Sequence, residues 1–308
     1  MNPIRVAIVG LGKIARDQHV PALRANGDFT LAAVVSPDGA SIDGVPRFDT
    51  LDDLLDRGPE IDAVALCTPP QVRRELAAVA LARGLHVLLE KPPAATPPEA
   101  EALEGLAAAN NATLFAAWHS RFAAGVEAAR DWLADREVLR ATITWREDVR
   151  KWHPGQAWIW QEGGLGVFDP GINALSIATL VLPRPLSLTS AELDIPANCD
   201  TPIAARLELR DSGGTPVEVD FDFRQTGPQT WDIAVETEAG RLLLSHGGAT
   251  LTLAGNTRRE EDREYAGLYA RFAELIRQGR SEVDTAPLRL VAEALERGRV
   301  NRVEPFYD

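Results

Sequence analysis

The sequence predicts an α/β domain on a parallel sheet over residues 1–119, then an α+β domain with a mainly antiparallel, open-faced sheet over residues 120–308. Three observations predict it. Short apolar runs alternate with helical periodicity through the first part, as strands buried on both faces and their crossover helices do. A glycine-rich turn directly follows the first apolar run. The second part changes to two-residue alternation, the pattern of strands covered on one face.

The first strands are expected at "IRVAIVG" (4–10), "FTLAAVVS" (29–36), "DAVALCT" (62–68), "HVLLE" (86–90) and "TLFAAWH" (113–119). Between them lie the helical patterns "KIARDQHVPALRAN", "LDDLLDRG", "QVRRELAAVALARG" and "PPEAEALEGLAAAN". Several end in Gly or Asn, as helix C-termini prefer. In the second part a helix over about 121–135 leads into "LRATITWREDV", and "DPGINALSIATLVL" reads as a further helix. The strands "LSLTSAELDI", "IAARLELRD", "PVEVDFDFRQ", "TWDIAVETEAGRLLLSH" and "ATLTLAG" follow, and "EYAGLYARFAELIRQG" and "PLRLVAEALERGR" close the chain as helices. An open sheet of this kind needs a cover, and a homodimer through the C-terminal sheet would supply one.

Composition narrows the function. At 308 residues, 45% hydrophobic and 25% charged, the chain can bury two cores. A net charge of −13 provides no basic face for nucleic acid and disfavours anionic lipid. No apolar run approaches the roughly 18 residues of a membrane span. The opening "MNPIRVAIVGLG" enters a strand at once, with no room for a signal peptide. Cys67 and Cys199 lie far apart and form no disulfide framework, and no Cys/His spacing reads as a metal site. A cytoplasmic protein with reduced thiols and a small-molecule ligand is expected.

"VAIVGLGKIA" places Gly10-x-Gly12-x-x-Ala15 between a strand and a helix, the setting of the Rossmann dinucleotide fingerprint. Gly10 allows the tight turn, Gly12 lets backbone approach a pyrophosphate, and Ala15 lets the helix lie on the sheet. The helix N-terminus adds amide donors. A turn that needs glycines only for its shape is the bland alternative. "GLGK" is no P-loop, because Lys13 lacks the spacing and the following Ser or Thr. The expected cofactor residues are Gly10, Gly12, Lys13, Ile14, Ser36, Thr68, Pro69, Glu90 and Lys91. They sit on this loop or at strand carboxyl ends, where open α/β sheets bind ligands. At the second strand's tip, Val35-Ser36-Pro37-Asp38, no Arg occurs until Arg47, and Asp38 and Asp43 would repel a 2′-phosphate. The expectation leans to NAD, with use of NADP as well left open.

"VLLEKPPA" ends a strand on Glu90-Lys91 and locks the chain behind it with Pro92 and Pro93. This framing aims Lys91 at the cofactor edge; a solvated strand-end lysine is the alternative. In the second part, Asp169 and Asn173 stand four residues apart at a helix opening and share one face. Trp145, Trp152, Trp158 and Trp160 cluster with Glu147 and His153. Indole faces cover sugar C–H groups while carboxylates and imidazoles take hydroxyls, although core packing explains any single one of these tryptophans. Trp152 is the best stacking candidate. His119 is either a hydroxyl ligand or a hinge residue. His19 either faces the site or is structural. Cys67 reads as packing, His86 and His246 as surface or sheet residues, and Arg73-Arg74 and "REEDREY" as solvated faces.

Gly10-x-Gly12-x-x-Ala15, Glu90-Lys91-Pro92 and Gly163-Gly164 followed by Asp169-x-x-x-Asn173 resemble the glucose–fructose oxidoreductase/inositol dehydrogenase family over essentially the whole chain. More narrowly, "GKIARDQHVPA", "WHSR", "EDVRKWHPGQ", "WIW" and "GGLGVFDPGINALS" resemble the bacterial L-arabinose/D-galactose 1-dehydrogenases, which carry Asn where many of the broader family carry His. The resemblance implies NAD(P)-dependent oxidation of a pyranose at C1 to an aldonolactone. It also implies a cis Lys91–Pro92 peptide. NADP-preferring members end the second strand in Ser-Arg; this chain has Ser36-Pro37 and departs from them. In these terms the catalytic residues are Lys91, Asp169 and Asn173. Asp169 is the base for the C1 hydroxyl, Lys91 a cation steadying the alkoxide, and Asn173 holds a ring or hydroxyl oxygen. Neutral Lys91 as the base remains open. His119, Glu147 and His153 are the hydroxyl ligands. A polyol or dihydrodiol dehydrogenase of the same family is the nearest alternative, and the Asn173 and tryptophan-loop matches weigh against it. A non-catalytic sugar sensor is the other, and a chain with both Lys91 and Asp169 has more than a sensor needs.

Overall fold

The structure, a computed structural model, describes residues 2–307. The first sheet has six strands: β1 (Ile4–Val9), β2 (Phe29–Val35), β3 (Arg47–Phe48), β4 (Ala63–Leu66), β5 (His86–Glu90) and β6 (Leu114–Ala117). Their order is β3-β2-β1-β4-β5-β6, and every neighbouring pair is parallel. Helices α1 (Val20–Ala25), α2 (Leu51–Arg57), α3 (Pro70–Ala82) and α4 (Pro97–Ala109) make the crossovers. The central strands read as unbroken apolar runs because both faces are covered: Ala63–Leu66 and Val87–Leu89 are completely buried. The strand order reverses between β1 and β4. That switch point opens a crevice at the carboxyl ends, between the turns leaving the two strands.

The second sheet has nine strands in the order β14-β13-β12-β11-β7-β10-β9-β8-β15. They are β7 (Val138–Arg146), β8 (Leu186–Pro196), β9 (Ala204–Asp211), β10 (Pro216–Asp222), β11 (Thr230–Thr237), β12 (Gly240–Ser245), β13 (Thr250–Leu253), β14 (Asn256–Arg259) and β15 (Arg299–Val303). All pairs are antiparallel except β10–β7 and β15–β8. One face is covered by α5 (Val126–Leu133) and α7 (Phe168–Val181), with α9 (Ala286–Arg297) packed on α7. Packed from both sides, α7 carries an apolar surface nearly all round, and eleven of its residues are buried. The other face alternates charges: Arg140 pairs with Glu236 at 2.7 Å and Arg299 with Glu192 at 2.5 Å, and Arg146 pairs with Asp220.

Two short elements, β3 and the terminal β15, were not expected, nor was the edge strand β14. The expected helix over 121–135 is a 3₁₀ turn at His119–Phe122 followed by α5. The run "TWDIAVETEAGRLLLSH" is a hairpin, not one strand, because Gly240 at φ +120° closes a turn between β11 and β12. A short helix, α6 (Val149–Trp152), precedes His153.

The chain forms two compact units. The first runs to His119 and takes back Glu264–Thr285; the second is Ser120–Arg263 together with the chain from Ala286 onward. The sequence alone placed 264–285 with the residues after 120. The structure packs helix α8 (Glu264–Gln278) in the first unit, because its apolar face meets an aromatic surface there. Tyr269 and Phe272 pack on Phe29, with ring centroids 5.4 and 6.0 Å apart, and Phe272 also stacks on Phe115 at 6.0 Å. Past the helix, Glu282 bonds β6 through its backbone on both sides, donating to Leu114 O at 2.9 Å and accepting from Ala116 N at 3.0 Å. That contact caps an edge that would otherwise be open. Among the described residues no helix is long and apolar enough to cross a membrane.

Phe272 is fully buried, so Phe272→Ala should lower stability by about 3–5 kcal/mol. Urea unfolding followed by circular dichroism measures it.

Candidate active site

The turn after β1 is shaped by a missing side chain. Gly10 sits at φ +91°, and a Cβ there would lie 3.0 Å from Thr68 Cγ2 and 3.1 Å from the Cys67 carbonyl carbon. At Gly12 a Cβ would meet nothing within 4 Å, so the loop leaves open space above its backbone. Residues 13–25 are helical, with a wide π turn at Ala15–His19, and Ala15 is fully buried against the sheet. Across the crevice, Thr68 Oγ1 is buried and has no hydrogen-bond partner among the described residues. An open glycine loop, a helix start and an unused hydroxyl together fit a dinucleotide phosphate. Lys13 is exposed and pairs with Asp17; Ile14 is 38% exposed, and Pro69 caps α3 at the surface.

At the tip of β2, Ser36 is buried, and its hydroxyl donates to the Asp38 carboxylate. The Ala40 amide donates to the same oxygen at 3.2 Å. These two donors, with the Arg16 charge nearby, hold Asp38 below the usual carboxylate range. The side chain of Ser36 is therefore occupied in aiming Asp38. Arg47 is turned to the Ser36 carbonyl at 2.6 Å and to Asp49 at 2.6 Å.

The end of β5 carries a buried polar cluster. Glu90 is 3% exposed. Its Oε1 accepts from Tyr265 Oη at 2.6 Å and lies 3.1 Å from His19 Nε2, while Oε2 accepts from the Lys91 amide at 2.6 Å. His19, fully buried in the π turn, also meets Tyr269 Oη at 2.8 Å through Nδ1. Burial opposes charge on both partners. The His19 imidazole outweighs it for Glu90 and holds that carboxylate well below its usual range. For His19 the contacts with Cys67, Tyr269 and Glu90 likewise outweigh burial, and the imidazole is raised well above its ordinary value. The two form a buried ion pair. Arg73, expected on a solvated face, is 2% exposed and donates to the carbonyls of Thr68, Glu90 and Pro92. Five unpaired N–H groups are too costly to bury, and these carbonyls at the strand ends supply acceptors. The Lys91–Pro92 peptide between them is cis. Glu90, expected among the cofactor residues, has its carboxylate turned inward, so that it fixes the backbone from which Lys91 projects. His119 Nδ1 meets Glu264 Oε2 at 2.5 Å, and its ring stacks on Tyr265 at 5.2 Å.

In the second unit, Glu147 leaves the end of β7 and is 2% exposed. Its Oε1 is 2.9 Å from His153 Nε2, and its Oε2 accepts from Trp231 Nε1 at 2.8 Å. His153 Nδ1 lies 3.8 Å from Asp169 Oδ2. Asp169 occupies the first turn of α7, where the helix dipole favours an anion, and half-buried Asn173 follows one turn later. Trp152 is 36% exposed, its ring 5.0 Å from that of Trp231, which stacks on buried Trp145 at 5.9 Å. Trp160 packs on Phe223 and Phe306. Glu147, Trp152, His153 and Asp169 thus lie in one group. This group carries a carboxylate able to take a proton, an imidazole and an indole face.

Residues 4–117 match the GFO/IDH/MocA model, an oxidoreductase family with an NAD-binding Rossmann fold. Galactose 1-dehydrogenase from Pseudomonas fluorescens is 49% identical, with the whole of both chains covered. The chain belongs to the GFO/IDH/MocA oxidoreductase family. Among family structures, that of D-galactose-1-dehydrogenase from Rhizobium etli superposes with a TM-score of 0.96 at 53% identity, covering 100% of this chain and 99% of that one. A 3-ketoreductase from Actinomadura kijaniata, in complex with NADP and TDP-benzene, superposes with a TM-score of 0.84 at 22% identity, covering 98% of this chain and 100% of that one. This second likeness is one of fold alone.

Sequence reasoning missed Trp231, Arg73, Tyr265 and Tyr269. Trp231 had one signal: an indole at a strand start, just past the turn residues "TGPQ". Arg73 had none, because an arginine in the first turn of a helix normally faces water.

The buried pair has a pH signature. Glu90 is lowered, so its contribution is present above its ordinary value of 4.5 and fades as pH falls toward the folded-state value. His19 is raised, so its contribution is complete below its ordinary value of 6.5 and is lost as pH rises through the folded-state value. Glu90→Gln should cost about 3–5 kcal/mol. The gap from wild type should be widest between those two ordinary values and narrow in alkaline buffer, as read by denaturant unfolding across the range.

Proposed function

We propose that this protein is a cytoplasmic NAD(P)-dependent aldose 1-dehydrogenase that oxidises D-galactose and L-arabinose at C1 to the aldonolactone. The observation that carries the reading is the group of Asp169, His153, Glu147, Trp152 and Trp231 in the second unit. It supplies a proton acceptor, hydroxyl ligands and an indole face, which is what a pyranose requires. The end-to-end identity with a galactose 1-dehydrogenase supports the choice of sugar and of carbon. Galactose and arabinose share the pyranose configuration and differ by a hydroxymethyl at C5. A pocket discriminates such a group by only about 1–3 kcal/mol, so both sugars are expected to turn over.

In this reading Asp169 takes the C1 hydroxyl proton. Lys91 supplies positive charge for the developing alkoxide. Asn173 holds a ring or hydroxyl oxygen, and His119 and Glu147 take further hydroxyls. Gly10, Gly12 and Thr68 would hold the dinucleotide phosphates, and bound nicotinamide supplies the hydride acceptor. Asp38 favours NAD, because its carboxylate would accept from ribose hydroxyls and repel a 2′-phosphate. The charged open face of the second sheet suits a second copy, since rows of Arg and Glu turned through a two-fold meet opposite charges.

Absorbance at 340 nm tests the activity, with D-galactose, L-arabinose, D-glucose and myo-inositol, each with NAD and NADP. Rapid reduction is expected with the first two sugars, faster with NAD; silence on all four refutes the proposal. Asp169→Asn should lower kcat by about 100- to 10,000-fold. Asp38→Ala should shrink the preference for NAD. Light scattering should give twice the 33.4 kDa chain mass, and a single 33.4 kDa species would remove the dimer.

A further inference from the structure

We infer that His153 is a positioning residue that acts through Asp169 and carries the proton from that carboxylate to water. The inference rests on Asp169 being the base. Its ground is the way the two ring nitrogens are divided. Nε2 faces Glu147 Oε1 at 2.9 Å. Glu147 cannot turn away, because Trp231 Nε1 donates to its other oxygen at 2.8 Å. Its backbone is also held, with the amide on Asp222 O at 2.9 Å and the carbonyl accepting from Gln225 N at 3.2 Å. A buried carboxylate fixed in this way requires a donor. It therefore sets the tautomer: the proton stays on Nε2 and the lone pair of Nδ1 is left for the other side.

On that other side stands Asp169 Oδ2, 3.8 Å from Nδ1. The Gln156 side-chain oxygen lies 3.5 Å from the same nitrogen. The Phe223 ring, 5.5 Å away, brings no charge. Nδ1 therefore faces two oxygen acceptors, long contacts that tighten once it holds a proton. Solvent access runs the same way, since the His153 side chain is 14% exposed and that of Asp169 8%.

The proton movements balance. The C1–O–H bond breaks and its proton goes to Asp169. The C1 hydrogen would leave as hydride with its two electrons, for which a bound nicotinamide would supply the acceptor, and C1=O would form. The Asp169 O–H then breaks as Nδ1–H forms, giving an imidazolium still donating to Glu147 through Nε2. Loss of the Nδ1 proton to water restores the neutral ring. Each turnover releases one proton, as the overall reaction requires.

Two variants of the full chain test this beside Asp169→Asn. His153→Gln keeps a donor for Glu147 but cannot carry a proton; it should lower kcat by about 100-fold with little change in the sugar KM. His153→Ala should be restored in part by added imidazole. In the wild type without ligands, ¹⁵N shifts of His153 should show the Nε2–H tautomer. A His153→Gln enzyme that keeps kcat and raises only KM would make His153 a sugar ligand alone, and the inference fails. It fails equally if imidazole does not rescue a folded His153→Ala enzyme, or if the resting ring is protonated on Nδ1 alone. Retained activity in Asp169→Asn overturns instead the reading of the base.

Discussion

An ionised carboxylate inside a protein must be paired, and the end of β5 is built around that requirement. Removing a carboxylate from water costs several kcal/mol even after relaxation, so each lone pair of Glu90 needs a donor. The donors come from three places in the chain. The π turn behind the glycine loop brings His19, α8 returns with Tyr265, and the next residue, Lys91, gives its amide. Arg73 performs the complementary service for carbonyls, binding three of them where two strands end. The backbone carrying Lys91 is thereby held from both sides.

The second unit solves the same problem with ring N–H donors. Glu147 is as deeply buried as Glu90, but an indole N–H and an imidazole serve it, and that imidazole is partly open to solvent. The difference separates support from traffic. A carboxylate locked to a buried partner keeps its charge and its place. An imidazole held at the edge by such a carboxylate has its second nitrogen left to pass a proton.

The parts of this arrangement legible in the sequence are those where short-range rules decide. The parallel strands were legible because burial on both faces leaves continuous apolar runs. The glycine loop was legible because a backbone conformation and an open space each require glycine, and Asp169 and Asn173 because four residues on a helix make one face. The rest depends on contacts that local periodicity does not encode. His19 and Tyr269 are 250 positions apart, and Glu147 and Trp231 are 84. The pattern of α8 showed that it had an apolar face but not which surface it would cover. The strand β15, "RVNRV", alternates too weakly to be recognised; it exists because β8 offers it an edge.

The return of α8 to the first unit also orders events at the ribosome. The chain leaves the first unit at His119, and the second is interrupted at Arg263 and resumes at Ala286. When the glycine loop and all six parallel strands have emerged, Phe29 and Phe115 still lack their cover, and Glu90 lacks the Tyr265 hydroxyl. Synthesis from Glu264 onward brings both units to completion almost together. A nascent chain stalled before Glu264 would display an aromatic surface and an under-served carboxylate, the kind of exposure that chaperones bind and proteases sample.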